Sequence, residues 1–280
     1  MPEMPEIQAH AERLTESFAG CQLAGFQALK FTALRTVLPR PDDAFGHPLL
    51  QVGRRGKYLL LEFAPVTFAV HLMQGGRLLI DTKKSAKARG GQARFVFAGE
   101  VPALLLTEQG TERRAGVWAL DPPHALASPP LDVLGPEAAG ITAELLVERF
   151  AVKNQRLHGF LRDQRMLAGL GRRLANEICH TARVSPFAMT GSLGADGAVK
   201  VAAAIEACIA EGLAYERTRP DMSASKDRPG AMHGRTGEAC PVCGDTVRAV
   251  EYVGYTVNYC PTCQTGGKIL ADNTTSKFLK

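Results

Sequence analysis

Apolar side chains at Ile7, Ala11, Leu14 and Phe18 recur at the spacing of one helical face, and Gly20 stands where such a helix would stop. From Leu23 to about Leu120 the texture changes. Short apolar runs, Tyr58–Phe63, Thr67–Leu72 and Ala93–Phe97, are separated by Gly, Pro and charged clusters, which predicts the strands of a sandwich or barrel. Trp118, Tyr58 and the phenylalanines of these runs read as core. Asp121 to Pro136 is rich in proline and reads as a linker at a domain boundary. Beyond it helical periodicity returns at Ile141–Phe150, Arg156–Leu161, Arg172–Ala182 and Ala198–Ala214, the last with Val201, Ile205, Cys208, Ile209 and Leu213 on one stripe. Arg219 to Gly237 is polar and broken by Gly and Pro, and reads as a mobile loop. Val247 to Tyr259 alternates as a β-hairpin would.

The predicted fold class is therefore α+β, in three parts: a helix with a β-rich domain over 1–125, a helical domain over 126–230, and a small C-terminal module over 231–280. At 280 residues the chain can bury more than one core, and no apolar run reaches membrane-spanning length. Acidic residues within the first few positions rule out a signal-peptide layout, so the expected setting is the cytoplasm. A formal charge of +5 permits a polyanionic partner without demanding one.

The seven cysteines change the picture more than the charge does. Four form Cys240-Pro-Val-Cys243 and Cys260-Pro-Thr-Cys263 with sixteen residues between, while Cys21, Cys179 and Cys208 lie scattered. An odd total clustered in this way points to a metal site in a reducing compartment, not to a disulfide framework. Four soft thiolates at that spacing close a tetrahedron around one zinc ion, and with no open position the zinc is structural. The metal is expected to hold the tip of the hairpin rigid.

Several separated stretches together resemble the formamidopyrimidine-DNA glycosylase / endonuclease VIII family. They are Pro2-Glu3-Met4-Pro5-Glu6, Arg54-Arg55-Gly56-Lys57-Tyr58, His71-Leu72 with Gly76-Arg77-Leu78, Arg113-Arg114, Leu134-Gly135-Pro136-Glu137, Leu161-Arg162-Asp163-Gln164 with Ala168-Gly169-Leu170-Gly171, and Gly234-Arg235 before the first cysteine pair. The resemblance implies an N-terminal helix and β-sandwich, a helix-two-turns-helix module and a zinc finger, acting as a monomer on damaged double-stranded DNA. It also implies chemistry at Pro2, whose nitrogen becomes a secondary α-amine once Met1 is removed. Such an amine, with an ordinary pKa of about 8, is partly neutral at physiological pH and can attack C1′ of a damaged nucleotide. Glu3 is implied as the acid/base beside it, Glu6 as a further family carboxylate, and Lys57 as the grip on phosphates flanking the lesion. Without the resemblance, Pro2 to Glu6 reads as an ordinary helix start, and the Arg-Arg-Gly-Lys run as a solvated cluster.

The remaining implied contacts to DNA are His71, Gln74, Arg114, Gly169 and Arg172. Gly169 belongs to a small-residue turn that lets backbone approach a phosphate, and Arg172 stands where the family usually has asparagine. Three further departures concern recognition. Tyr255 replaces the family's finger arginine and Val257 a threonine, with Arg172 as a candidate to compensate. The three wedge positions, usually methionine, arginine and phenylalanine, align with Gln74, Arg114 and Ala115. A smaller wedge suits lesions already unpaired, because flipping costs a few kcal/mol of stacking. These departures keep a second reading open, a catalytically reduced paralogue that binds DNA damage or abasic sites. A zinc-ribbon protein of transcription or RNA leaves the N-terminal half unexplained.

Overall fold

The computed structural model describes residues 1–85, 87–109, 113–222 and 227–270. By internal contacts the chain forms two units, one of residues 1–134 with 216–224, the other of 135–215 with 225–280.

The first unit opens with helix α1 (Met4–Phe18), whose buried face is Ile7, Ala11, Leu14 and Phe18, as the periodicity predicts. Pro5 is accommodated because the first turn has no intrahelical partner for its missing N–H. The Glu6 carboxylate reaches back to accept the Glu3 N–H at 2.9 Å, one arm of a capping box. Eight strands follow: β1 (Leu23–Ala28), β2 (Leu49–Arg55), β3 (Tyr58–Phe63), β4 (Thr67–His71), β5 (Gly76–Asp81), β6 (Gly91–Phe97), β7 (Ala103–Glu108) and β8 (Gly116–Leu120). They form two four-stranded antiparallel sheets, ordered β1-β6-β7-β5 and β2-β3-β4-β8. Between the choices left open by the pattern, the chain takes the sandwich. Its core joins Phe63, Phe68, Phe95 and Phe97 to Ile7, Leu14 and Phe18 of α1, with Phe18 and Phe97 rings 5.0 Å apart. Thr15 ties α1 to β2, its hydroxyl accepting the Val52 N–H at 2.8 Å.

Trp118 and Tyr58 are only half-buried, packed at the border of a second cluster made of Leu60, Ala69, Leu120, Ala125 and Leu131. That cluster also corrects the linker reading of Asp121–Pro136. The segment forms a 3-10 helix over Pro122–Ala127 and lays Ala125 and Leu131 on the outer face of β3 and β4. Proline excludes α-helix and strand here, but not burial.

The second unit contains α2 (Ala143–Val152), α3 (Leu157–Arg162), α4 (Arg172–Thr181) and most of α5 (Gly194–Arg217), then β9 (Arg248–Tyr252), β10 (Tyr255–Tyr259) and the short α6 (Pro261–Thr265). Thr142 caps α2 by accepting the Leu145 N–H at 3.2 Å. Phe150 and Phe160 meet edge to face at 4.9 Å, and Leu157, Leu161, Leu167, Leu170 and Leu174 of the same unit are buried. Of the stretch expected to be a mobile loop, residues 223–226 lie outside the described residues, and the part from 227 onward is held. The Glu177 carboxylate accepts the N–H groups of Ala231, Met232 and His233 at 2.8 to 3.2 Å, and Met232 is buried. Composition sees polarity there but not the α4 carboxylate that satisfies the backbone. Among the described residues no helix is long and apolar enough to cross a membrane.

Candidate functional site

In the first unit, α1 begins with two carboxylates in the interior. Glu3 is 3% exposed and Glu6 fully buried, which charged groups avoid unless the fold fixes them there. Pro2 beside them is buried too, and Met1 is exposed. The amino terminus is brought to Lys57 by the β2–β3 hairpin. Arg55 pairs with Tyr58 across a two-residue turn in which Gly56 supplies a positive φ of 55°, leaving Lys57 at the turn. The Lys57 side chain is 7% exposed, and its Nζ lies 4.0 Å from Met1 Sδ. An ammonium group and two buried carboxylates therefore share the neighbourhood of the chain's first residues.

His71 ends β4 opposite Tyr58, its ring 4.5 Å from the tyrosine ring. Its Nδ1 accepts the Met73 N–H at 3.0 Å, shaping the turn that leads to β5. Burial, helped by the charge of Lys57, lowers its pKa to about 4, so the imidazole is neutral near pH 7. The turn is closed by Gly76, whose N–H donates to Leu72 O at 2.8 Å and where an added Cβ would stand 2.1 Å from the same oxygen. Gln74 is exposed on this turn and Arg114 is exposed ahead of β8. Ala115 is not beside them at the surface: it lies in the sandwich core, its N–H donating to Glu108 Oε2 at 2.6 Å. Ala115, which stands where the family's wedge phenylalanine is replaced, therefore presents no wedge side chain at the surface.

In the second unit, the turn between α3 and α4 is clamped by Gln164, which the sequence reading quoted but gave no role. Its Oε1 accepts the Gly169 N–H at 3.0 Å, and its Nε2 donates to Leu170 O at 2.8 Å and Arg162 O at 2.9 Å. Gly169 sits there with φ 104°, a conformation suited to glycine. Arg172, the first residue of α4, donates to Gly254 O at 2.7 Å, at the tip of the β9–β10 hairpin. Tyr255 carries the Arg162 guanidinium 4.0 Å from its ring centre and stacks on Tyr252 at 4.8 Å.

The Sγ atoms of Cys240, Cys243, Cys260 and Cys263 lie within 4.8 Å of one another. The Cys243–Cys260 pair is at 3.4 Å and the Cys240–Cys263 pair at 3.9 Å. A tetrahedron with metal–sulfur bonds of about 2.3 Å has edges of roughly 3.8 Å, so the four thiols fit one zinc-sized ion. His180 Nε2, 3.4 Å from Cys240 Sγ, borders the group. The expectation that the metal holds the hairpin tip is corrected by this placement. The cysteines flank β9 and β10 at their open end, whereas the tip is Val253–Gly254, held by Arg172 and by Arg162 through Tyr255.

A profile of the formamidopyrimidine-DNA glycosylase N-terminal domain matches residues 1–114. The formamidopyrimidine-DNA glycosylase of Acidithiobacillus ferrooxidans is 32% identical over 278 residues, covering 94% of this chain and all of that one. An uncharacterized formamidopyrimidine-DNA glycosylase-like protein of Mycobacterium tuberculosis is 38% identical over 149 residues, 52% of this chain and 94% of its own length. Among solved structures, the Lactococcus lactis formamidopyrimidine-DNA glycosylase bound non-covalently to DNA containing an abasic site superposes with a TM-score of 0.83. It is 20% identical and covers 94% of this chain and 99% of that one.

Proposed function

The chain belongs to the formamidopyrimidine-DNA glycosylase family, and on that premise we propose that it is a DNA glycosylase of base-excision repair with abasic-site lyase activity. The observation that carries this reading is the convergence of the Lys57 amine and the buried Glu3 on the start of the chain. With Met1 removed, the Pro2 nitrogen is a secondary amine that attacks C1′ of the damaged nucleotide. The C1′–base bond breaks as the base leaves with a proton given up by the amine; the C1′–O4′ bond then breaks, O4′ taking a proton, and the Pro2 nitrogen lone pair forms the N=C1′ iminium. That cation has no N–H to lose, so it acidifies the C2′ proton, and its loss expels the 3′-phosphate by β-elimination. Glu3 exchanges the protons with the sugar oxygen or the amine, and Lys57 neutralises flanking phosphate. His71, neutral, shapes the turn that presents Gln74, while Arg114 offers an exposed guanidinium to the duplex.

The four cysteines would hold one zinc ion, and a closed four-thiolate site supplies rigidity to the hairpin, not reactivity. The protein's setting in this reading is the cytoplasm with its nucleoid, as a monomer on damaged double-stranded DNA. Sodium borohydride trapping on abasic-site duplex tests the proposal. A covalent adduct is expected from protein lacking Met1 and none from Pro2→Gly or from protein with an N-terminal extension. An adduct that survives both changes would refute the Pro2 chemistry.

One set of observations favours the second reading, a damage-binding paralogue with reduced catalysis. Arg172 is engaged with the hairpin and Ala115 is in the core, so two positions considered for DNA handling serve structure. Tight binding to abasic-site duplex with no adduct selects that reading.

A further inference from the structure

Helix α4 meets the β9–β10 module along one face, at residues four apart. Arg172 donates to Gly254 O at the hairpin tip at 2.7 Å. One turn on, Asn176 faces Asn258 of β10, whose N–H donates to Asn176 Oδ1 at 3.3 Å. One turn further, His180 Nε2 lies 3.4 Å from Cys240 Sγ in the first cysteine pair. Residues at i, i+4 and i+8 share a helix face, so α4 touches tip, strand and metal end in turn. The first two contacts are ordinary hydrogen bonds, whereas the third joins the helix to a sulfur of the candidate metal group. His180 and Cys240 are both buried, at 5% and 2% exposure. The second cysteine pair is tied just beyond the same helix. Gln264 Oε1 accepts the Cys260 N–H at 2.8 Å, and Gln264 Nε2 donates to Val184 O at 3.1 Å.

A thiolate bound to a metal has no proton to give, so in the N···S contact the ring is the donor. Four thiolates around one dication leave an excess of negative charge, part of it on the buried sulfurs of Cys240 and Cys260, and buried charge requires donors aimed at it. The Cys263 N–H, 3.5 Å from Cys260 Sγ, supplies one such donor. The ring is not placed as a ligand itself: the four sulfurs lie within 4.8 Å of one another and close the tetrahedron without it. We propose that His180 donates its Nε2–H to the metal-bound thiolate of Cys240, a positioning residue outside the ligand set that stabilises the metal site from α4. This role presupposes the zinc reading of the four cysteines. The hydrogen bond spreads the charge of that sulfur onto the ring, and it fixes the base of the module against the helix that already holds its tip.

Metal affinity, a cobalt spectrum and the ring's own proton test this on the full chain. In competition with a chromophoric chelator, His180→Phe should bind zinc about tenfold to a hundredfold more weakly than the unmutated protein. With cobalt(II) in place of zinc, that variant should keep the bands of a four-thiolate site while its sulfur-to-cobalt charge-transfer band moves to lower energy, because one sulfur has lost its donor. A band that stays in place overturns the proposal whatever the affinity does, since lost packing lowers affinity without touching the sulfur. Undiminished zinc affinity in His180→Phe overturns it as well, and so does a change of the cobalt bands to a different donor set, which would make His180 a ligand. The third measurement needs no variant to fold. In the unmutated zinc-loaded protein, the nitrogen shifts of His180, read by NMR through its carbon-bound ring protons, should show Nε2 protonated. Metal bound with Nε2 bare overturns the role of His180 alone, whereas unmutated protein that takes up neither zinc nor cobalt refutes the zinc reading and the proposal with it.

Discussion

Glu3 shows how much chemistry one residue of this chain is asked to carry. It caps α1 with its backbone, is almost wholly buried, and follows the residue whose nitrogen is the proposed nucleophile. Replacement by glutamine keeps shape and backbone bonding but removes the carboxyl group proposed to exchange protons. Glu3→Gln is expected to lower single-turnover excision by roughly 10²-fold or more while leaving the thermal midpoint nearly unchanged. A comparable loss of stability would mean that the carboxylate is structural. Pro2, Glu3 and Lys57 are proposed from the sequence only through the family resemblance, since their short motifs alone read as a helix start and a solvated cluster. The roles of Gln164 and Arg162 were not legible in the sequence, since a side chain clamping a turn, or lying on Tyr255 far along the chain, leaves no local signature.

At the scale of elements, turns and hairpins decide where these residues go. The His71–Gly76 turn has no room for a methyl group at its last residue. Gly76→Ala must displace the Leu72 carbonyl, so a loss of about 2 to 4 kcal/mol is expected from denaturant unfolding of the first unit. An unchanged midpoint would show that the turn relaxes freely. The β9–β10 hairpin depends on a different restraint at each end, thiols at the base and arginines at the tip. Chelation of bound zinc should abolish the protection of Val250 and Val257 amides from hydrogen exchange and weaken duplex binding, with β3 and β4 amides still protected. Loss of protection throughout the first unit would contradict its independence from the metal. The hairpin and its cysteines were readable from alternation and spacing; which end the metal holds depended on where the strands stop.

Across the whole molecule, three histidines are held neutral by burial, His10 and His71 in the first unit and His158 in the second, His71 also lowered to about 4. Burial lowers His10 to about 4 and His158 to about 3. An unfolded histidine titrates near 6.5, so between that pH and the lowered values the unfolded chain binds more protons than the folded one. Stability is therefore full above about pH 6.5 and falls as pH drops toward 4, by up to about 1.4 kcal/mol per pH unit for each histidine. Thermal melts from pH 7.5 to 4.5 should show midpoints declining below pH 6.5, and the decline should be shallower in His158→Gln if that variant folds. A flat profile over this range would show that none of the three rings is held neutral.

The chain's sequence determined by itself the order of helix, β-rich domain, helical module and hairpin, along with the four paired thiols, while the folded chain decided for a sandwich over a barrel. The order and the thiols are written in short-range periodicity and spacing, and the physics behind them acts within a few residues. Tertiary structure alone decided that Ala115 belongs to the core, that Arg172 and Arg162 hold the hairpin tip, and that Glu177 satisfies the backbone of the supposed loop. Each of these depends on which distant group fills or leaves open a hydrogen bond, and that is settled only when the chain has folded back on itself.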